Sequence, residues 1–393
     1  MKKSLFALAV AGAFAGVATQ AQAQSSVTVY GLIDAGVGNS AITYGAGANS
    51  KIQQNFVGGI SSANGTGQEA GSRLGFRGVE DIGGGTRVGF TMEIGINYSN
   101  GVSTTAAPDV TTSALGNTTF FNNTRQAFAS LGNNSFGELR IGTQDSLAKN
   151  LLGAYDPTKE ANTTGATSLY QQGQVTRFGQ AATYQAPAFV KGLTLRAQYA
   201  NDGTNYGNVS TTNTPTTNNA WSLSAKYDAG NFSIGTVYES RLSYYVAAGT
   251  ANSATALLPN MTTAGIIPSV NMFGLAASYD LGVVKPMLSY YGQKWNNPNN
   301  YSTTGTVNGY QMGFSAPVTP VIELVGSYIT GKITNAGSDL YNTSGLQAQV
   351  NYALSKRSRL YGIYGQTNWA SQRTATTADV KVQQYGVGLL HTF

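Results

Sequence analysis

An all-β fold, a transmembrane antiparallel β-barrel of about sixteen strands, is what this sequence predicts, and three observations carry it. Apolar and polar side chains alternate with a period of two over many short stretches. Aromatic residues gather at the ends of the apolar faces. Tight turns alternate with long connections rich in Asn, Thr, Gly and Ser, such as Gly38–Ala70, Ser99–Thr124, Asn201–Asn219 and Ser240–Val270. Successive strand side chains point to opposite faces, so each stretch has one apolar and one wet side. A membrane barrel turns the first to lipid and the second to its lumen, with short periplasmic turns and long external loops.

Composition narrows the alternatives. Only 10% of the 393 residues are charged, against about 25% in an ordinary soluble domain. Yet 41% are hydrophobic and 10% aromatic, which excludes a disordered chain. The net charge of +6 is small and scattered, which excludes a strongly basic nucleic-acid binder. With no Cys there is no disulfide or thiolate metal site, and the single His391 leaves no His-based catalysis to assemble; no cofactor is expected.

The elements follow in chain order. Lys2 and Lys3, the apolar stretch 4–18 and the small residues Ala21-Gln22-Ala23 predict a cleaved secretory signal over 1–23, leaving 24–393 as one barrel domain. Its removal would leave 21 basic and 17 acidic side chains, a net +4. No later run reaches the ~18 apolar residues of a membrane helix. Strands are expected near 26–37, 72–81, 86–97, 125–131, 137–144, 175–186, 193–200, 220–227, 232–240, 271–280, 283–293, 306–316, 321–330, 344–353, 359–367 and 380–393. At about 10 residues per spanning strand, roughly 160 residues span and about 210 connect. In 86–97, Val88, Phe90, Met92, Ile94 and Ile96 oppose Arg87, Gly89, Thr91, Glu93 and Gly95. In 193–199, Leu193, Leu195, Ala197 and Tyr199 oppose Thr194, Arg196 and Gln198. Trp221 to Tyr227, Phe273 to Tyr279 and Leu346 to Tyr352 repeat the pattern, and the last strand ends on Leu389, His391 and Phe393. Tyr199, Trp221, Tyr227, Phe232, Tyr238, Tyr279, Tyr328, Tyr352 and Phe393 are candidates for the aromatic girdle. A soluble sandwich needs a dry core and has no reason for alternating connection lengths; the polar faces here carry Arg, Glu, Lys and Gln.

Four segments in order carry a family resemblance. Ser26-Val27-Thr28-Val29-Tyr30-Gly31-Leu32-Ile33-Asp34-Ala35-Gly36, Ser72-Arg73-Leu74-Gly75-Phe76-Arg77-Gly78-Val79-Glu80-Asp81, Tyr352 to Tyr361 and Tyr385 to Phe393 resemble the first two strands, the last periplasmic turn and the final strand of the general trimeric porins of Gram-negative outer membranes, most like the betaproteobacterial type. The resemblance implies a homotrimer with one channel per subunit and an inward-folded third loop. That loop would be Gln144–Thr176, bringing Asp145, Asp156 and Glu160 to the constriction. Arg73 and Arg77 match the family's basic row; Arg140, Arg177, Arg196 and Glu93 complete the expected pore lining. Phe393 resembles the terminal signal read by the barrel assembly machinery. Thr143, Thr183, Gln185 and Leu390 stand where the family often has basic residues, so the arginine cluster is thinned.

The implied activity is passive diffusion of small hydrophilic solutes and ions through a water-filled channel in outer-membrane lipid. One lining charge about 8 Å from a passing ion is worth roughly 0.5 kcal/mol in water, or about twofold in flux. The +4 excess then predicts a weak anion preference at most, eroded by salt. The alternative is a substrate-specific channel with a saturable site. A barrel enzyme would need a nucleophile and base at the rim, and an exported adhesin would be soluble without detergent.

Overall fold

The computed structural model describes residues 26–45, 51–58, 69–96, 121–159, 176–201, 219–246, 265–296, 304–335, 338–372 and 379–393. The expected signal 1–23 and the loop residue Glu160 lie outside the described residues. In chain order the strands are β1 (Ser26–Tyr44), β2 (Lys51–Gly58), β3 (Arg73–Gly83), β4 (Thr86–Ile96), β5 (Phe121–Asn133) and β6 (Gly137–Asp145). A helix, α1 (Leu147–Ala154), interrupts the series. Then come β7 (Arg177–Gln185), β8 (Leu193–Asn201), β9 (Asn219–Ala229), β10 (Phe232–Val246), β11 (Gly265–Tyr279) and β12 (Lys285–Asn296). The last are β13 (Thr304–Pro317), β14 (Ile322–Asn335), β15 (Ser338–Ala353), β16 (Ser358–Ser371) and β17 (Val380–Thr392).

From β3 to β17 each strand pairs antiparallel with the next. β1 closes the ring: Ser26–Leu32 pairs with β3 and Leu32–Tyr44 with β17. Closure removes the edges whose unpaired amides could not be tolerated in hydrocarbon. The wall therefore has sixteen positions, because β2 pairs with Gly36–Thr43 of β1 and continues the β3 position outward. β2 is not expected from the alternation, by which 38–70 reads as connection. Several outer strand ends also run further than the alternation indicated. β14 and β15 continue to the pairs Thr334↔Asp339 and Asn335↔Ser338 past a bulge, so the long connection expected there is mostly paired strand.

Seven short connections share the end where β1 begins and β17 finishes. In the β3–β4 turn Gly83, Gly84 and Gly85 all take positive φ, of 90°, 61° and 74°, which glycine alone adopts without strain. The Asp81 carboxylate accepts from the Gly83 amide at 2.9 Å, and Asp280 does the same for Gly282 at 2.8 Å; these side chains close the turns.

Directly paired residues share a face, so the two parities can be followed around the ring. Val88, Phe90 and Met92 are exposed outward, as are Leu223, Leu275, Leu324 and Val350. All nine girdle aromatics lie on that exposed surface. The seam is finished by Phe393, whose amide and carbonyl each bond Gly31 at 3.1 Å. Its ring lies so close over Gly31 that a Cβ there would fall 2.6 Å away. The buried apolar core sits inside the ring, beneath α1, where Leu147, Leu151 and Leu152 meet Val237, Met272 and Ala276.

Candidate functional site

The inner face is narrowed by the segment that follows β6. Ser146 caps α1, its hydroxyl accepting from the Lys149 amide at 3.1 Å. The Leu147 amide bonds Gln198 Oε1 at 3.3 Å, and the buried Glu239 of β10 lies beneath Ala148, paired with Arg241 at 3.4 Å. A carboxylate beneath the first turn suits the helix dipole. Leu147, Leu151 and Leu152 form one apolar stripe. It presses on glycines of the wall: a Cβ on Gly235 would fall 2.6 Å from Leu151, one on Gly274 3.1 Å from Leu152, and one on Gly313 2.6 Å from Pro157. The segment thus lies on β10, β11 and β13 because those positions carry no side chain.

Polar ties fasten its far end. Ser233 gives its proton to Asp228 at 2.6 Å, so the 2.8 Å contact between Tyr155 and Ser233 has the phenol as donor. Burial pushes the Tyr155 pKa up, which keeps that proton in place. Asp156 is buried. One of its oxygens accepts from Gln311 at 2.8 Å, the Thr158 amide at 3.0 Å and the Thr158 hydroxyl at 2.7 Å. Asp145 bridges Lys149 at 2.9 Å and Arg177 at 3.0 Å. Of the loop acids expected at the constriction, Asp156 is tied to the wall strand β13, and Asp145 to Lys149 of α1 and to Arg177, where β7 begins.

The remaining arc, β3 to β8, is basic. Arg73, Arg77 and Glu93 share the inner face, since Arg77 pairs with Thr91 and Arg73 with Gly95. Glu93 accepts from Arg125 Nε at 2.6 Å, while Arg73 lies 3.8 Å from the same oxygen. The Arg77 guanidinium stands 5.2 Å from the centre of the Tyr30 ring. Among the described residues no ion pair reaches Arg77, which is exposed. Arg140 makes a two-pronged pair with Glu138 at 2.9 and 3.1 Å, over the Phe128 ring. Arg196 bonds Gln185 at 2.9 Å. Arg73, Arg77, Arg125, Arg140, Lys149, Arg177 and Arg196 thus face Glu93, Glu138 and Asp145, four cations in excess.

Arg125 escaped the sequence reading for a geometric reason. Strict alternation puts it with Ala127, Ala129 and Leu131 on the lipid side. A register shift between Glu93 and Ile94 makes it the extra residue of a bulge and turns it onto Glu93. Helix α1 was missed too; Ser146 before the 147, 148, 151, 152 apolar spacing is the signal that marks it. The neutral departures have structural uses. Thr183 accepts from Gln198 at 2.9 Å, and Leu390 packs on Tyr361 and Ile363.

The chain matches the Gram-negative porin family over residues 7–370. It is 28% identical to an outer membrane porin protein of Bordetella pertussis, with all of both chains covered. Outer membrane porin protein 32 of Delftia acidovorans is 27% identical, over 92% of this chain and 88% of that one. Among solved structures, an anion-selective porin from Comamonas acidovorans superposes with a TM-score of 0.66 at 23% identity, covering 94% and 100% of the two chains. The trimer form of OmpT from Vibrio cholerae superposes at 0.64 with 13% identity, covering 94% and 99%. With that family match added to the closed barrel and its inward loop, the chain belongs to the Gram-negative porins and is a passive diffusion channel of the outer membrane.

Proposed function

We propose that the channel passes small hydrophilic solutes without specific binding and carries a weak anion preference set by the arginine arc of β3–β8. The excess of four cations there supports this reading, together with the loss of Asp145 and Asp156 to internal ties. Arg73, Arg77, Arg140, Arg177, Arg196 and Glu93 line the water path. A hydrated solute avoids hydrocarbon, where each unsatisfied polar group costs several kcal/mol, and the protein performs no bond chemistry. The likeness to a Comamonas porin described as anion-selective is in keeping with this preference. A homotrimer is proposed in line with the trimeric Vibrio structure. Export by the 1–23 signal and capture of Phe393 by the assembly machinery complete the reading.

Reconstitution into planar bilayers across a salt gradient tests it. Stepwise openings in threes, conductance nearly linear in salt and a reversal potential of anionic sign are expected. Saturation with a solute would favour the substrate-specific alternative, and a cationic sign would overturn the assignment of the arc.

A further inference from the structure

We propose that Glu69–Ser72, the residues leading into β3, form a second fixed element inside the lumen, and that Glu69 tunes selectivity by neutralising Arg359. Only the segment's last residue keeps to the ladder of its own strand, the Ser72 carbonyl accepting from the Ile96 amide of β4 at 2.9 Å. Asp34 of β1 receives the Ala70 amide at 2.7 Å and the Tyr361 hydroxyl at 2.5 Å, while its own amide bonds Ser72 Oγ at 3.0 Å. Ala70 rests on Tyr361, Ile363 and Leu390. Glu69 reaches further still, receiving Gln349 of β15 at 2.9 Å and Arg359 of β16 at 2.8 Å, with a second Arg359 contact. Residues 69–72 therefore cross the inner face from β15 to β1. That face is the one on which Pro157 touches Gly313, as the ladder pairs Gly313↔Ser327, Ser327↔Gln347 and Gln349↔Ile363 establish.

Two peptides thus cover complementary parts of the ring: α1 and its extension over β10–β13, and Glu69–Ser72 over β15–β1. Among the described residues, the arc that neither peptide covers is the basic one. Glu69 is 3% exposed, whereas 28% of the Arg359 side chain meets solvent. Without Glu69, Arg359 would present an uncompensated positive charge to the water path. A two-pronged guanidinium–carboxylate pair fixes geometry as well as charge, so the segment is held rather than loosely suspended. This inference rests on the reading that lumen charges set the ion preference.

Reversal potentials in planar bilayers at low salt decide it, with Glu69→Gln, Arg359→Gln and the double variant. Glu69→Gln should raise the anion-to-cation permeability ratio about twofold, Arg359→Gln should lower it by about as much, and the double variant should return to the wild-type value. If Arg359→Gln shifts the potential and Glu69→Gln does not, Glu69 is not in the lumen and the proposal fails. If either single variant does not fold, the exchange Glu69→Arg with Arg359→Glu replaces it; an unchanged potential supports the pair and a shifted one overturns it. Arg77→Gln is the reference: if it too leaves the potential unmoved, the underlying reading of the lumen charges is what has failed.

Discussion

Replacing Arg77 by Gln isolates the contribution of one lumen charge. The side chain is exposed on the inner face and has no ion pair among the described residues, so its removal strands no buried acid. Its stack on Tyr30, 5.2 Å from the ring centre, gives the barrel little stability at an exposed site. At about 8 Å from a passing ion in water the charge is worth roughly 0.5 kcal/mol, a factor of about two in the permeability ratio. Arg77→Glu, a change of two charges, should give about fourfold, the square of that factor. Screening supplies a second signature. The Debye length falls from about 10 Å at 0.1 M to about 3 Å at 1 M, so both shifts should fade at high salt. The assay is the zero-current potential of single channels under a fixed concentration ratio at the two ionic strengths. Lys332→Gln serves as control, because Lys332 is paired with Asp339 at 2.7 Å near the outer end of β14. An Arg77→Gln shift no larger than that control, or one that persists undiminished at 1 M, would refute the reasoning.

Other variants probe the loop. Asp156→Ala should raise unit conductance and channel noise, because Gln311 and Thr158 lose their shared acceptor; a buried amide left without its partner costs about 1–3 kcal/mol. Leu151→Ala opens a gap over Gly235 and should destabilise the folded form by about 2–5 kcal/mol, measured as a lower temperature for the heat-induced gel-mobility change. Gly235→Leu should alter unit conductance while the barrel still forms, since the added side chain collides with the loop and not with a neighbouring strand's backbone. Unaltered conductance in that variant would mean that α1 does not bound the water path.

What could be read from the chain was whatever obeys a period of two. Val88, Phe90 and Met92 face outward as the alternation indicates, and the girdle aromatics are all exposed. The β3–β4, β9–β10 and β11–β12 turns fall where Asp and Gly cluster, because the backbone there takes positive φ. Features that break the period were hidden. Arg125 sits at a bulge, and one extra residue reverses the side to which a residue points. β2 is a short segment within a long Asn- and Gly-rich stretch, and Ile52 and Phe56, with Gln54 between them on that parity, make too brief an alternation to mark it. Glu69 and Arg359 are 290 residues apart, and nothing local links them. That Arg73 and Arg77 share a face was legible because spacing i, i+4 on a strand returns to one side, whereas the ties of Asp145 and Asp156 depend on Arg177, Lys149 and Gln311, partners chosen by tertiary geometry.

The glycine bed beneath α1 bears on the order of assembly. Gly235, Gly274 and Gly313 all follow the helix in the chain, as do Ser233 and Gln311. The tie from Asp156 to Gln311 spans 155 residues. Contacts so distant close late, after the intervening chain has surrendered its freedom. The inward segment is therefore synthesised before the surface that holds it. It reaches its final place only once β13 has zipped onto β12, so the shape of the lumen beside α1 is among the last things folding decides.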